Sequence, residues 1–167
     1  MNNVERALLV AEKAHAHQTY DIYPYIYHIK MTVKEAKDLG YDEVIQVASA
    51  LHDVLEDTDL NYNDVKKAFG LEVAEIVFNV TDELGRNRKE RKAKTYVKVK
   101  SCWKSTVVKI CDRIANMKHS KSYNPEKQKM YQKEFENFVR ELSNDKHPAE
   151  VDRAWSRLKK LSTVVDS

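Results

Sequence analysis

Apolar residues recur three and four positions apart along most of the 167-residue chain, while runs alternating apolar with polar positions are missing. That spacing predicts a first helix over about 3–17, with Val4, Leu8, Val10 and Ala11 turned inward. A tyrosine-rich connection, "TYDIYPYIYH", leads to a second helix over about 27–39 that stops before Gly40, a suitable residue just past a helix end. Asp42 can cap a third helix over roughly 43–57, whose Val44, Val47, Ala48, Leu51 and Leu55 leave little polar surface. Short helices follow over 61–69, closed by Gly70, and over 72–82.

The stretch "DELGRNRKERKAK" (82–94) breaks the apolar rhythm and reads as a basic loop entering a helix near 92–103. "TVVKICDRIANMKHS" resumes a helix with Val107, Ile110, Cys111, Ile114 and Met117 inward. Pro125 suits the first turn of a helix over 125–142, and Pro148 that of a last one over 148–161. With only three glycines and three prolines as punctuation, the pattern describes an all-α protein. The expected architecture is one domain over 1–167, a compact bundle of seven to nine helices.

Composition narrows the class of protein. Hydrophobic residues at 42% and charged ones at 33% fit a folded globular chain rather than a disordered one. A net charge of +3 gives no reason to invoke a polyanionic partner. Cys102 and Cys111 form no CxxC pair, so neither a disulfide framework nor a zinc knuckle is expected, and a reducing cytoplasm is the default. No run approaches 18 apolar residues and the N-terminal segment is charged throughout, so no membrane span or signal peptide is expected.

The segment "ALHDVLEDTDL" (50–60) carries the first sign of chemistry. A nearly all-apolar helix turns there into His52, Asp53, Glu56 and Asp57, with no cation before Lys66. Neighbouring carboxylates raise one another's pKa and resist desolvation, so the cluster calls for a compensating cation. "YPYIYHIK" offers His28 at the start of a helix, and "KICDRIANMKH" offers Asp112 in an apolar helix with Lys109, Asn116 and His119 near its face. His28, His52, Asp53 and Asp112 make a mixed nitrogen–oxygen set suited to manganese, iron or zinc rather than calcium. Glu56 and Asp57, one turn on, would reach water or substrate beside the ion. Arg86, Arg88, Lys89 and Arg91 of the basic run could clamp phosphate oxygens.

These pieces resemble the HD superfamily of metal-dependent phosphohydrolases, and more narrowly its (p)ppGpp hydrolase branch. The matching segments are "AHAHQ" (14–18), "PYIYH" (24–28), "ALHDVLEDT" (50–58), "FGLEVAEIVFNVT" (69–81) and "KICDRIANM" (109–117), in the family order. The resemblance implies a helical HD-domain fold and His28, His52, Asp53 and Asp112 as metal ligands. It implies Glu56 and Asp57 as catalytic groups, Asn116 on the nucleotide sugar and Arg113 as a buttress of the site. The implied ion is Mn²⁺, with Fe²⁺, Co²⁺ or Zn²⁺ as alternatives.

One segment departs from the family pattern. "QTYDIYPYIYH" is a residue short and lacks the family's basic pair and glycine, with Tyr20 and Asp21 near the basic positions. Tyr20 could stack on a base, but Asp21 cannot attract phosphate. The expected function is a phosphohydrolase acting on a nucleotide, (p)ppGpp 3′-pyrophosphohydrolase first and an HD-type nucleotidase or dNTP triphosphohydrolase second. The competing class is a helical nucleic-acid-binding module using "GRNRKERKAK" and "RLKK"; it leaves the four candidate ligands unexplained.

Overall fold

The structure is a computed structural model that describes residues 1–163. Helix α1 (Asn3–Ala14) leads into a two-stranded antiparallel hairpin, β1 (Thr19–Tyr20) and β2 (Tyr23–Pro24). Then come α2 (Ile26–Asp38), α3 (Glu43–Leu51), the single turn α4 (Val54–Asp57), α5 (Tyr62–Phe69) and α6 (Leu71–Val80). The remainder is α7 (Arg88–Lys100), α8 (Trp103–Tyr123), α9 (Pro125–Leu142), a 3₁₀ turn (Ala149–Val151) and α10 (Asp152–Ser162). The all-α expectation stands, and with α4 taken as the broken end of α3 the described residues hold nine helices.

Short polar side chains satisfy the free N–H groups at several helix starts, Asp42 among them as expected. Asn2 and Glu5 form a reciprocal capping box on α1, as Asn61 and Asp64 do on α5. Asp42 accepts from the Ile45 N–H at 3.0 Å, Asn87 from Glu90 at 2.9 Å and Asn124 from Lys127 at 3.1 Å. Asn87 also corrects one expectation. The run from Arg88 onward is the opening of α7 rather than a loop, because Asn87 starts the helix four residues before the expected boundary at 92.

Helix α8 is the axis of the molecule. It packs against α2, α3, α6, α7, α9 and α10, and its Val107, Val108, Ile110, Cys111 and Ile114 are wholly buried. Helices α2 and α3 meet each other and α8, so His28, His52–Asp53 and Asp112 converge at the junction of three elements distant in sequence. The predicted 43–57 helix does not run through. It stops at Leu51, and Asp53 takes φ −107°, ψ 1° before α4 begins. In an unbroken helix successive side chains diverge by about 100°, so His52 and Asp53 could not both face one point. The break turns both inward.

Gly70 joins α5 to α6 at φ +95°, ψ 167°, a conformation open in practice to glycine alone. A Cβ there would meet no atom within 4 Å, so backbone strain alone sets the cost of replacement. Gly70→Ala is expected to lower stability by about 1–3 kcal/mol. Urea unfolding of the two proteins measures this, and equal midpoints would contradict the assigned backbone.

Candidate active site

Four side chains close on one point. His28 Nε2 lies 2.9 Å from Asp112 Oδ1, and His52 Nε2 lies 3.3 Å from the same oxygen and 3.0 Å from Asp53 Oδ2. Both histidines are buried, at 2% and 3% exposure. His52 Nδ1 is 2.7 Å from the Ser49 carbonyl, an acceptor only, so Nδ1 carries a proton and Nε2 is the nitrogen that faces the two carboxylates, free to bind a cation when unprotonated. Nε2 has no hydrogen-bond partner of its own. A lone pair aimed at two carboxylate oxygens is repulsive without a cation among them. An imidazole whose other nitrogen is anchored on a carbonyl is also the usual outer support of a metal ligand. The donor set therefore fits a divalent ion, and His28, His52 and Asp53 each bring a ligand atom within 4.8 Å of the others.

Without the ion, protons respond to the same crowding. Burial draws the His52 imidazolium down, but the Asp53 and Asp112 charges outweigh it and raise its pKa well above the usual value. Burial pushes the Asp53 and Asp112 carboxyls up, and the His52 charge overrides it, holding both well below the ordinary range. The Tyr25 hydroxyl donates to Asp53 Oδ2; burial first, then the Asp53 charge, raises its pKa and keeps it a donor. Asn116 Nδ2 donates to Asp112 Oδ1 at 3.2 Å, and Lys109 Nζ lies 3.6 Å from Asp112 Oδ2.

Glu56 and Asp57 stand beside this centre, each with a carboxylate oxygen within 4.8 Å of an Asp53 oxygen. Glu56 Oε1 accepts from the Asp82 N–H at 2.9 Å, which fixes one oxygen and leaves the other free. Burial, then the Asp53 charge, raises the pKa of both carboxyls. A cavity of about 150 Å³ opens over the cluster, lined among others by Tyr20, Tyr25, Glu56, Lys92, Lys109 and Asn116.

The positive charge at this cavity comes from residues that sequence reasoning left unassigned. Lys92 holds the Asp82 carboxylate at 2.7 and 3.0 Å, and Lys109 is buried on the same side of α8 as Asp112. Lys109 sits three positions before Asp112 in a helix, which was a usable signal; nothing in the local sequence separates Lys92 from its basic neighbours. Those neighbours do not line the metal-side cavity. Arg86 is 90% exposed and pairs with Glu90 at 2.9 Å. Arg91 packs against Gly85. Arg88 makes a double contact with Glu134 at 3.0 and 3.3 Å, and with Lys89 it lines an adjoining groove between α7 and α9.

Arg113 is buried behind the site. Its guanidinium pairs with Glu134 at 3.1 Å and lies over the Phe138 and Tyr131 rings at 4.4 and 4.7 Å, so it ties α8 to α9. Asn116 lines the cavity, and its amide oxygen accepts from the Tyr20 hydroxyl at 2.7 Å. The Tyr20 ring is stacked on His28, with centroids 4.6 Å apart and planes at 13°.

The geometry is that of a helical domain with a buried His–Asp cluster able to hold a divalent ion. Residues 7–146 match the HD domain family, and the chain belongs to that family. It is 31% identical over 147 residues to a probable guanosine-3′,5′-bis(diphosphate) 3′-pyrophosphohydrolase of Synechocystis, covering 83% of this chain and 19% of that protein. It is 34% identical over 98 residues to the Drosophila melanogaster pyrophosphohydrolase MESH1, covering 57% of this chain and 55% of the relative. It is 32% identical over 142 residues to the bifunctional (p)ppGpp synthase/hydrolase SpoT of Escherichia coli, covering 80% of this chain and 20% of SpoT. The chain thus spans about a fifth to about half of these relatives. A solved structure described as a metazoan ortholog of SpoT that hydrolyzes ppGpp superposes with TM-score 0.77 at 23% identity, over 96% of this chain and 94% of that one, which shows the shared fold. Among the described residues no helix is long and apolar enough to cross a membrane.

Elemental analysis tests the ligand set. Asp53→Ala and Asp112→Ala are expected to lose the divalent ion, while Arg86→Ala, remote from the cluster, keeps one equivalent. Full retention in both aspartate variants would overturn the assignment.

Proposed function

We propose that this chain is a divalent-metal-dependent nucleotide phosphohydrolase that removes pyrophosphate from the ribose 3′ position of (p)ppGpp. The observation that carries the chemistry is the convergence of His52 Nε2, with no hydrogen-bond partner of its own, on the Asp53 and Asp112 carboxylates. The kinship with named 3′-pyrophosphohydrolases carries the substrate. Manganese is the proposed ion on the family resemblance; the mix of imidazole and carboxylate without thiolate is compatible with it, as with iron or zinc. When bound, such an ion supplies Lewis acidity toward a phosphoryl oxygen and acidifies water.

The chain's own groups do the rest. Glu56, oriented by the Asp82 N–H, takes the proton of the attacking water at its free carboxylate oxygen. Its raised pKa brings it nearer to neutrality and makes it a stronger base than an ordinary glutamate. Asp57 stands ready beside it, its main-chain carbonyl held by the Gln18 amide. Lys109 and Lys92 face the cavity and offset the negative charge that builds on the phosphoryl oxygens. Burial, followed by the Lys109 charge, lowers the Lys92 pKa, a shift that an arriving phosphate would reverse. Asn116 is placed to meet the nucleotide sugar, and Arg113 braces α8 from behind. Arg88 and Lys89, in the adjoining groove, are positioned to reach only the far end of a long substrate.

Glu56→Gln keeps the shape of the residue and removes its basicity. It is expected to keep the ion and lose about 10²–10⁴-fold in kcat, the usual worth of general acid–base catalysis. Wild-type turnover in this variant would place the proton elsewhere. Chromatography of products from ppGpp with added Mn²⁺ is expected to give GDP and pyrophosphate. Release of triphosphate or orthophosphate from nucleotides without a 3′ group would instead favour a triphosphohydrolase or nucleotidase.

A further inference from the structure

Tyr20 is fixed more firmly than a residue in a surface hairpin needs to be. One ring face lies on His28, its edge meets His119 with centroids 4.7 Å apart, and its hydroxyl donates to Asn116 Oδ1. The hairpin that carries it is tied to α8 at two more points: Asp21 Oδ2 to His119 Nε2 at 3.1 Å, and the Tyr23 hydroxyl to that of Tyr123 at 3.4 Å. Asn116, His119 and Tyr123 are spaced three and four apart, so the hairpin lies along one stripe of that helix. At its tip Asp21 takes φ +57°, and Ile22 is 81% exposed. Tyr23 also stacks on Tyr27 of α2, with centroids 4.3 Å apart, so residues 19–24 are held to α2 and α8 by side-chain contacts alone and can pivot away as a unit once those links break.

Tyr20 also separates two spaces. It lines the 150 Å³ cavity over the metal ligands and a second cavity of about 100 Å³, whose other walls are Asp21, His119, Ser120, Asn124 and Lys127. The first is of a size for phosphate groups and has no room for a nucleoside as well. We propose that Tyr20 is a specificity-determining wall: latched to Asn116 it restricts the metal-side cavity to phosphate-sized groups. A nucleotide is admitted when the 19–24 hairpin swings away and the two cavities become one trough. The Tyr20–Asn116 hydrogen bond is a cost that every nucleotide meets on entry and that pyrophosphate alone escapes. This role rests on the nucleotide phosphohydrolase reading of the site.

Tyr20→Phe removes the latch and keeps the ring. Loss of one net hydrogen bond from the closed state should lower KM for ppGpp and Kd for GDP by about three- to tenfold. Both are measured on the Mn²⁺-loaded protein, GDP by calorimetry. Inhibition by pyrophosphate and the affinity for Mn²⁺ should match wild type within about twofold, since neither ligand passes the wall. Unchanged nucleotide affinity, no detectable nucleotide binding by either protein, or an equal shift for nucleotide and pyrophosphate would each overturn the proposal. If wild type binds GDP but leaves ppGpp intact, and Tyr20→Phe still tightens GDP selectively, the wall stands and the 3′-pyrophosphohydrolase reading falls. If ppGpp is cleaved and the variant changes nothing, the reverse holds.

Discussion

The structure turns on one crowded arrangement: two carboxylates and the Nε2 of a buried imidazole, directed at a common point. Asp53 Oδ2 and Asp112 Oδ1 lie 3.0 and 3.3 Å from His52 Nε2, whose other nitrogen is anchored on the Ser49 carbonyl. Such a cluster persists only with a positive charge at its centre, whether a proton on His52 or a divalent ion. The proton leaves one imidazolium against two acids; an ion can satisfy all four ligands at once. Much of the fold serves to hold those groups in place. The break after Leu51 turns His52 and Asp53 to the same side, the buried helix α8 delivers Asp112, and the Arg113–Glu134 pair locks α8 to α9 behind it.

Around that centre the electrostatics are graded. The metal-side carboxyls are held ionised by His52, whereas Glu56 and Asp57, lacking such a cation, are shifted upward by burial and by the Asp53 charge. One patch of sequence, "HDVLED", therefore supplies carboxylates of opposite tendency within a turn and a half of chain. Acids kept charged suit ligands, and acids inclined to take up a proton suit bases. The lysines complete the balance: Lys109 pairs with Asp112 and Lys92 with Asp82, so each positive charge at the cavity is matched by a carboxylate.

Helix positions and the candidate ligands were legible because they depend on local rules. Asn2, Asp42, Asn61 and Asn124 cap where side-chain chemistry says they should, and the spacing of His28, His52–Asp53 and Asp112 follows the HD pattern. Three features were not legible. Strands of two residues leave no alternation to detect, so the 19–24 hairpin read as a plain connection. The basic run looked like a loop because its apolar face is thin: in the first two turns of α7 no residue before Thr95 is buried. Which basic residues face the cavity is decided by how α7 and α8 approach α6, so Lys92 emerged only in three dimensions, Lys109 was visible beside Asp112 but without a role, and Arg86 proved to be solvent-facing.

The central claim is that the His28–His52–Asp53–Asp112 cluster is built around a divalent cation. Its most direct test is the unfolding free energy of the wild type and His52→Ala with and without excess Mn²⁺. Linkage gives about 2.7 kcal/mol of added stability for the wild type at a free ion concentration one hundred times Kd. The variant, which has lost both the ligand and the repulsion it relieves, should gain little. No metal-dependent gain in the wild type, or an equal gain in the variant, would contradict the account.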